Sequence, residues 1–428
     1  MVHGGVCLAY LPDGKVALVR GGIPGEQIRT TLKPVSGVLR GKVEEVLEAS
    51  PDRIAGTGHP GLDLDHVSYD LQIALKRSVV IDALGRALSA TGITPDRRPR
   101  RGDFAATLEE GGEVDQLEAL VQPTVRSPQL WGYRNTVQPV VAEGALGYRQ
   151  PLTHEVIRID QDPAANSAIR AAWMLVVSSG LPKAVREVVI RGNDRNQALV
   201  ALISRGSARL LLDLAHELVR KGIAGVAFAE HDTRGRFRRG SERLAGERRL
   251  LQEFGDFELT VSVDGFAQPN AAAAGVLYRD LRDMVAFGTV AHDLYAGGGG
   301  ISFHLAAKFD EVVAFEIDRG SVSRGKADAK RLGIDNVEFR RGDVRADEFG
   351  QRADLITADP PRAGLSKEVR AAINASTVRQ FVYVACDPAT WARDVADLVG
   401  SGWKLEFVRP YDFYPHTHHV EVLSRLTR

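Results

Sequence analysis

Two side chains able to do chemistry together stand near the end of this 428-residue chain. Cys386 lies in the run Val384-Ala385-Cys386-Asp387-Pro388-Ala389-Thr390, and Glu421 closes His418-His419-Val420-Glu421. A thiolate adds to an electron-poor carbon, and a carboxylate removes a proton from the resulting adduct. The chain has two cysteines. Cys7 sits inside a short apolar stretch and reads as a small buried hydrophobe. Cys386 follows the apolar run Phe381–Ala385 and precedes Asp-Pro, so it reads as a strand end opening into a loop. A thiol there is accessible, and its pKa is open to control by neighbours.

Carbon 5 of a pyrimidine ring poses the problem this pair solves. That carbon is a poor nucleophile. Thiolate addition at carbon 6 gives an enolate whose carbon 5 attacks an electrophilic methyl group. Carbon 5 then holds both a hydrogen and a methyl, and a base must remove the proton before the thiolate leaves. Cys386 is the expected nucleophile and Glu421 the expected base. His416, His418 and His419 precede Glu421, but adjacent side chains of an extended segment point to opposite faces. No metal site is expected there.

A methyl donor needs a pocket, and the elements before Cys386 supply one. From about residue 258 the pattern alternates strands and helices. The expected elements are a helix at Ala271–Val285, a strand at Thr289–Leu294, a helix at Ile301–Phe309 and a strand at Glu311–Phe315. A helix at Ser321–Leu332 follows, then strands at Val337–Arg340, Leu355–Ala358 and Phe381–Ala385. Repeated βα units imply a parallel sheet with helices on both faces. Asp293-Leu294-Tyr295-Ala296-Gly297-Gly298-Gly299-Gly300 joins the first strand to its helix, where glycines let a ligand approach the backbone. Glu316 ends the next strand, the place where such folds hydrogen-bond ribose hydroxyls. This spacing is common to dinucleotide and S-adenosylmethionine sites. Asp359-Pro360-Pro361-Arg362 follows another strand and should face the same ligand, because ligands of open parallel sheets bind at the carboxyl ends of strands.

Upstream, residues 1 to about 55 alternate apolar and polar residues between turns, the pattern of a small β-barrel. The stretch 56–257 reads as α+β. It holds a helix at Leu71–Leu88, strands at Glu187–Arg191, Ala198–Ser204 and Gly225–Glu230, and a helix at Ala208–Lys221. Formal net charge is zero, so a nucleic-acid surface must be a local patch. Two basic loops fit, Arg97–Arg101 and Arg234–Arg239; Phe237 in the second is placed to stack on a base. Two thiols make no disulfide framework. No apolar run reaches the roughly 18–20 residues of a membrane helix, and the start of the chain lacks the regions of a signal peptide. A cytoplasmic protein without membrane contact is expected.

Taken in order, these motifs resemble the RNA 5-methyluridine methyltransferases, S-adenosylmethionine-dependent enzymes that act on uracil in transfer and ribosomal RNA. Residues 1–55, with GKVALVRGGIPGE, are similar to the family's TRAM domain, an OB-like RNA-binding barrel. WGYRN at Trp131–Asn135 is similar to a family element. FAQPN implies cofactor contact by Gln268, DLYAGGGG by Tyr295 and Gly300, AFEID by Glu316, RRGD by Asp343 and DPPRAGL by Asp359. VACDPAT implies Cys386 as nucleophile, and HVEVLSRL implies Glu421 as base. The resemblance implies three units: a TRAM-like barrel at 1–55, a central α+β RNA-recognition region at 56–257, and a Rossmann-like α/β catalytic domain at 258–428. It implies RNA as partner and a target base flipped from its stack. Ala296 and the four-glycine run replace the family's usual cysteine-containing loop. His59 and Leu62 stand where many members carry thiolates, so no iron–sulfur cluster is expected. Asp387 replaces a common asparagine and, pointing inward, would raise the thiol pKa. Two alternatives are a catalytically idle RNA-binding or ribosome-maturation factor and an RNA cytosine-carbon-5 methyltransferase. The latter commonly carries a second cysteine at the place occupied here by DPPR.

Overall fold

The computed structural model describes residues 1–2, 4–11, 13–91, 116–150, 155–344 and 349–428. The basic loop Arg97–Arg101 lies outside the described residues. No helix among those described is long and apolar enough to cross a membrane.

A seven-stranded sheet forms the C-terminal part. Its strand order is Val337–Arg341, Phe309–Glu316, Gly288–Leu294, Leu355–Ala358, Gln380–Ala385, Glu421–Thr427, Lys404–Tyr411. The first five run parallel, and Glu421–Thr427 is antiparallel to both its neighbours. Side chains alternate between the faces of a strand, and the burial follows that rule. Val312, Ala314, Val382 and Val384 join one apolar cluster with the helices Ala271–Met284, Gly300–Leu305 and Arg319–Leu332. Val313, Phe315, Phe381, Tyr383 and Ala385 join the other, with Lys367–Ala375 and Pro388–Gly400. The sheet is therefore covered on both sides, as its near-continuous apolar strands require.

The helix expected at Ile301–Phe309 ends at Leu305. Phe309 instead begins an eight-residue strand and pairs with Gly288. Its β-prone run Val312–Phe315 wins once a parallel neighbour is present on each side.

The middle segment divides between two cores. Helix Tyr69–Ala90 is longer than the expected Leu71–Leu88. It packs not on the central strands but on the C-terminal sheet, where Val80, Leu84 and Leu88 share a cluster with Trp391 and Val395. Val121 and Val125 extend that attachment through isolated bridges to Val408 and Tyr411. Most central strands form an eight-stranded sheet around Val185–Gly192 and Ala198–Ser204, backed by helices Ser167–Ser178 and Leu212–Arg220, while Leu250–Phe254 pairs separately with Phe257–Val261.

The N-terminal residues are β-rich. Val6–Tyr10, Val16–Arg20, Val38–Lys42 and Lys33–Val35 make a four-stranded sheet, and Gln27–Arg29 pairs with Glu45–Glu48. Cys7 is buried there and its thiol donates to the Gly22 carbonyl at 3.1 Å. Farther on, Leu62 packs with Tyr133 and Ala164, so an apolar contact occupies the place of an expected family thiolate.

Candidate active site

The five parallel strands end at one edge of the sheet, and the strand order reverses there between Gly288–Leu294 and Leu355–Ala358. Such a switch point opens a crevice outside the carboxyl ends. A cleft of about 880 Å³ occupies it. Gln268, Tyr295, Gly300, Glu316, Asp343, Asp359, Cys386 and Glu421 all line this one cleft. Every site residue singled out in the sequence is thus brought together.

Register explains how Cys386 meets Glu421. Strands Gln380–Ala385 and Glu421–Thr427 pair antiparallel, with Ala385 opposite Val422. Cys386 and Glu421 are the next residues along each chain, and both line the cleft. Helix Pro388–Gly400 begins directly after the thiol. Asp387 is its N-cap and accepts from the Thr390 N–H at 2.9 Å. Glu421 and Asp359 are carboxylates that act on the thiol. Burial first, then these two charges, push the Cys386 thiol up to about 12, with Arg362 opposing.

The two acids are themselves perturbed. Burial and the Asp293 charge raise Asp359 to about 7, against a 3.2 Å hydrogen bond from Gln268 Nε2. Glu421 is 2% exposed, and its Oε2 has no partner among the described residues. Burial, then Asp359, raises its pKa well above the ordinary value. Burial outweighs the opposing charge of Arg362, and the neutral form of Glu421 is favoured. Asp293 lies beneath, fully buried, accepting from Ser302 Oγ at 2.5 Å and Thr357 Oγ1 at 2.7 Å.

The glycine run works in two ways. At Gly297 and Gly298 an added Cβ would meet nothing within 4 Å, which leaves bare backbone facing the cleft. Gly299 and Gly300 are glycines for internal reasons. A Cβ on Gly299, at φ +93°, would come within 2.6 Å of Phe339, and one on Gly300 within 2.8 Å of Tyr278. Glu316 Oε2 accepts from the Gly297 N–H at 2.9 Å and Oε1 from the Asp318 N–H at 2.6 Å. The carboxylate thereby fixes the loop, and each oxygen keeps a lone pair for a hydroxyl. Phe266 and Ile317 line the cleft at 75% and 60% exposure, apolar surfaces suited to a flat ring. Bare backbone, an acid at the strand end and these apolar faces fit an adenosine-bearing cofactor.

Motifs distant in sequence hold this cleft in shape. Asn135 Nδ2 donates to the Gln268 carbonyl at 2.9 Å, and Asn270 caps helix Ala271–Met284 while donating to the Phe413 carbonyl at 2.9 Å. Trp131 stacks on His416 at 3.8 Å, and Tyr133 donates to the Pro415 carbonyl at 3.0 Å. WGYRN is thus a brace for FAQPN and for the loop before Glu421. Arg362, Tyr414 and His419 also line the cleft; Arg362 is placed there by its Asp-Pro-Pro-Arg loop, while for Tyr414 and His419 only the motif, not the position, is visible in the sequence. The histidines lie in turns rather than a strand, and His418 Nδ1 pairs with Asp63 at 2.5 Å. Among the described residues no group of three His, Cys, Asp or Glu is placed to hold a metal.

The loop Arg234–Arg239 is less available than its charge implies. Arg234 pairs with Asp232, Arg236 with Glu187 and Arg239 with Glu230, while Phe237 packs against the core.

Comparison with known proteins agrees with this layout. A family model described as tRNA (Uracil-5-)-methyltransferase matches residues 255–355 and 351–428. An RNA methyltransferase of Gloeobacter violaceus, itself uncharacterised, is 30% identical over 467 residues, covering 100% of this chain and 95% of the relative. A second, from Halalkalibacterium halodurans, is 29% identical over 462 residues with the same coverage. Among solved structures, the Pyrococcus abyssi tRNA (uracil-54, C5)-methyltransferase in complex with S-adenosyl-L-homocysteine superposes with a TM-score of 0.75. That match has 22% identity and covers 98% of this chain and 99% of the other, so the likeness is one of fold.

Proposed function

Because this chain belongs to the S-adenosylmethionine-dependent RNA uracil-C5 methyltransferases, we propose that it methylates carbon 5 of a uridine through a covalent adduct on Cys386. The observation that carries this reading is that Cys386 and Glu421 flank the pair Ala385–Val422 of two adjacent strands, inside the cleft that holds the glycine loop. The bound cofactor would supply an electrophilic methyl group on a sulfonium. Gln268, Tyr295, Glu316, Asp343, Asp359 and the Gly297–Gly300 backbone are the residues proposed to hold it. The Cys386 thiol gives up its proton to solvent in the cleft, and its sulfur bonds to carbon 6 as the carbon 5–carbon 6 π pair moves onto the ring carbonyl oxygen to form the enolate. Carbon 5, now electron-rich, takes the methyl. Glu421 in its ionised form accepts the carbon 5 proton, and the carbon–sulfur bond breaks to regenerate the thiolate. Burial of Glu421 favours its accepting that proton, since a raised pKa makes a stronger base.

The target base has to leave its stack to reach so recessed a sulfur. In the proposed division of labour, 1–55 is a TRAM-like barrel and 56–257 the RNA-recognition region. Contact with ribosomal or transfer RNA would run through these and through Arg97–Arg101 and Arg234–Arg239. A cytoplasmic location follows from such a substrate. The test is nucleoside mass spectrometry of unmodified RNA incubated with protein and S-adenosylmethionine. 5-Methyluridine should form, and Cys386→Ala should abolish it while leaving cofactor binding intact. Glu421→Gln should accumulate a protein–RNA adduct that survives denaturing electrophoresis. Full turnover by Cys386→Ala would end the covalent reading.

A further inference from the structure

A second cavity, of about 580 Å³, opens between the central sheet and the C-terminal part. Strands Ala198–Ser204 and Gly225–Glu230 contribute to one wall, and the turn Ser262–Asp264 with the start of helix Arg319–Leu332 to another. Five arginines line it: Arg243, Arg248, Arg249, Arg319 and Arg324. Two carboxylates line it with them, Glu247 and Asp264, and Asp264 already accepts from Ser241 Oγ and Ser262 Oγ, each at 2.7 Å, while Asp318 and Asp328 add their charge to Arg324 from beside the groove. Arg248, Arg249 and Arg319 are exposed, and among the described residues none of their side chains makes a hydrogen bond or ion pair. Arg324 is 7% exposed and anchored by Ser321 Oγ at 2.9 Å. Close to it lies Arg191, fully enclosed, with one nitrogen on the Gly265 carbonyl at 2.8 Å and with Nε and Nη1 unpartnered. Three guanidinium groups without a side-chain partner, beside the orphaned nitrogens of buried Arg191, make this concave place favourable to an anion.

The contrast with the neighbouring loop is informative. Arg234–Arg239 is the conspicuous charge run, yet three of its arginines are consumed by carboxylates. The unpaired arginines come from separate points of the chain and converge only through folding. Arg324 and Asp264 line both this groove and the cleft of Cys386, so the two adjoin.

We propose that this arginine groove binds the phosphodiester backbone of the RNA substrate next to the nucleotide whose base enters the cleft. The inference rests on the RNA reading above and adds a place for the strand. Guanidinium forks match phosphate oxygens in two-point contacts, and such contacts set register without reading sequence.

The experiment is RNA binding across a salt series, with unmodified transfer RNA and ribosomal RNA transcripts as probes. The variant is Arg248→Gln/Arg249→Gln/Arg319→Gln. Each lost phosphate contact should reduce the slope of log K against log salt by roughly 0.7–0.9. A fall of about two, with at least tenfold weaker binding at low salt, is expected. A charge-matched control replaces Arg86, Arg158 and Arg340, exposed and already paired with carboxylates, and should stay near the parent slope. Calorimetric binding of S-adenosylmethionine by the triple variant should match the parent, which shows the fold intact. Equal slopes for parent and triple variant would overturn the groove and leave the RNA reading standing. A parent that binds neither RNA would overturn the RNA reading itself.

Discussion

At the residue scale, the feature to explain is a thiol set where ionisation is opposed. Cys386 is held near 12 by burial and by the charges of Glu421 and Asp359. Removing one of those charges must therefore lower the thiol pKa. Asp359→Asn is expected to speed alkylation of Cys386 by iodoacetamide at pH 8 several-fold, read by peptide mass spectrometry, with buried Cys7 unreactive in both proteins. An unchanged rate would mean that Asp359 does not act on the sulfur. A cation placed among these groups acts in the opposite direction to the carboxylates and favours the ionised form of each. Asp359, raised to about 7, is mostly neutral at pH 6 and mostly charged at pH 8. Affinity for the sulfonium S-adenosylmethionine should accordingly rise several-fold across that interval. The uncharged thioether S-adenosylhomocysteine should show a flatter profile, and Asp359→Asn should flatten the first. Calorimetry at the two pH values checks both signs.

At the element scale, helix Tyr69–Ala90 reaches across from an early part of the chain to cover one face of the catalytic sheet. Leu84 is fully buried in that contact. Leu84→Ala should cost roughly 2–5 kcal/mol in urea unfolding, with cofactor affinity unchanged where the variant is folded. A loss under 1 kcal/mol would mean the helix is not part of the sheet's core. The sequence made this helix legible through its period but not its partner, because periodicity shows that one face is buried and not what buries it. The five parallel strands were readable to within two residues at each end, since each is a short apolar run bounded by turns, whereas the antiparallel pair Lys404–Tyr411 and Glu421–Thr427, rich in charged residues, was not. Leu355–Ala358 is identical in both readings. Helix Ser167–Ser178 is not legible, as Ala-Ile, Ala-Ala-Trp-Met-Leu-Val-Val is apolar nearly throughout and blurs the period. For the site, motif residues were legible, Arg362 among them through its place in the Asp-Pro-Pro-Arg loop, while Tyr414 and His419 were not. They reach the cleft through folding of the loops that carry them, which no local spacing encodes.

At the scale of the whole molecule, the site depends on a tie between the early helix and the last hairpin. Lys76 and Asp412 form a buried ion pair at a sequence separation of 336 residues. Lys76 also donates to the Tyr414 carbonyl at 3.1 Å, and Asp412 accepts from the Tyr414 N–H at 3.1 Å. One turn away on the helix, Gln72 Oε1 accepts from the His416 N–H at 2.8 Å. These contacts hold the turn that carries Tyr414 and His419 into the cleft. Burial lowers the Lys76 pKa, so the ammonium depends on Asp412 to remain charged. Removing one partner leaves an uncompensated buried charge, and Lys76→Ala should cost about 3–5 kcal/mol. Replacing both by apolar residues of similar volume, Lys76→Met/Asp412→Leu, removes the charge problem and should recover most of that stability. It does not restore the hydrogen bonds to Tyr414. The double variant should therefore unfold near the parent midpoint while its methylation rate stays at least tenfold low, since small displacements of positioning groups cost rate steeply. Recovery of rate along with stability would show the pair to be structural only, and the loop to be positioned by Gln72 and WGYRN alone.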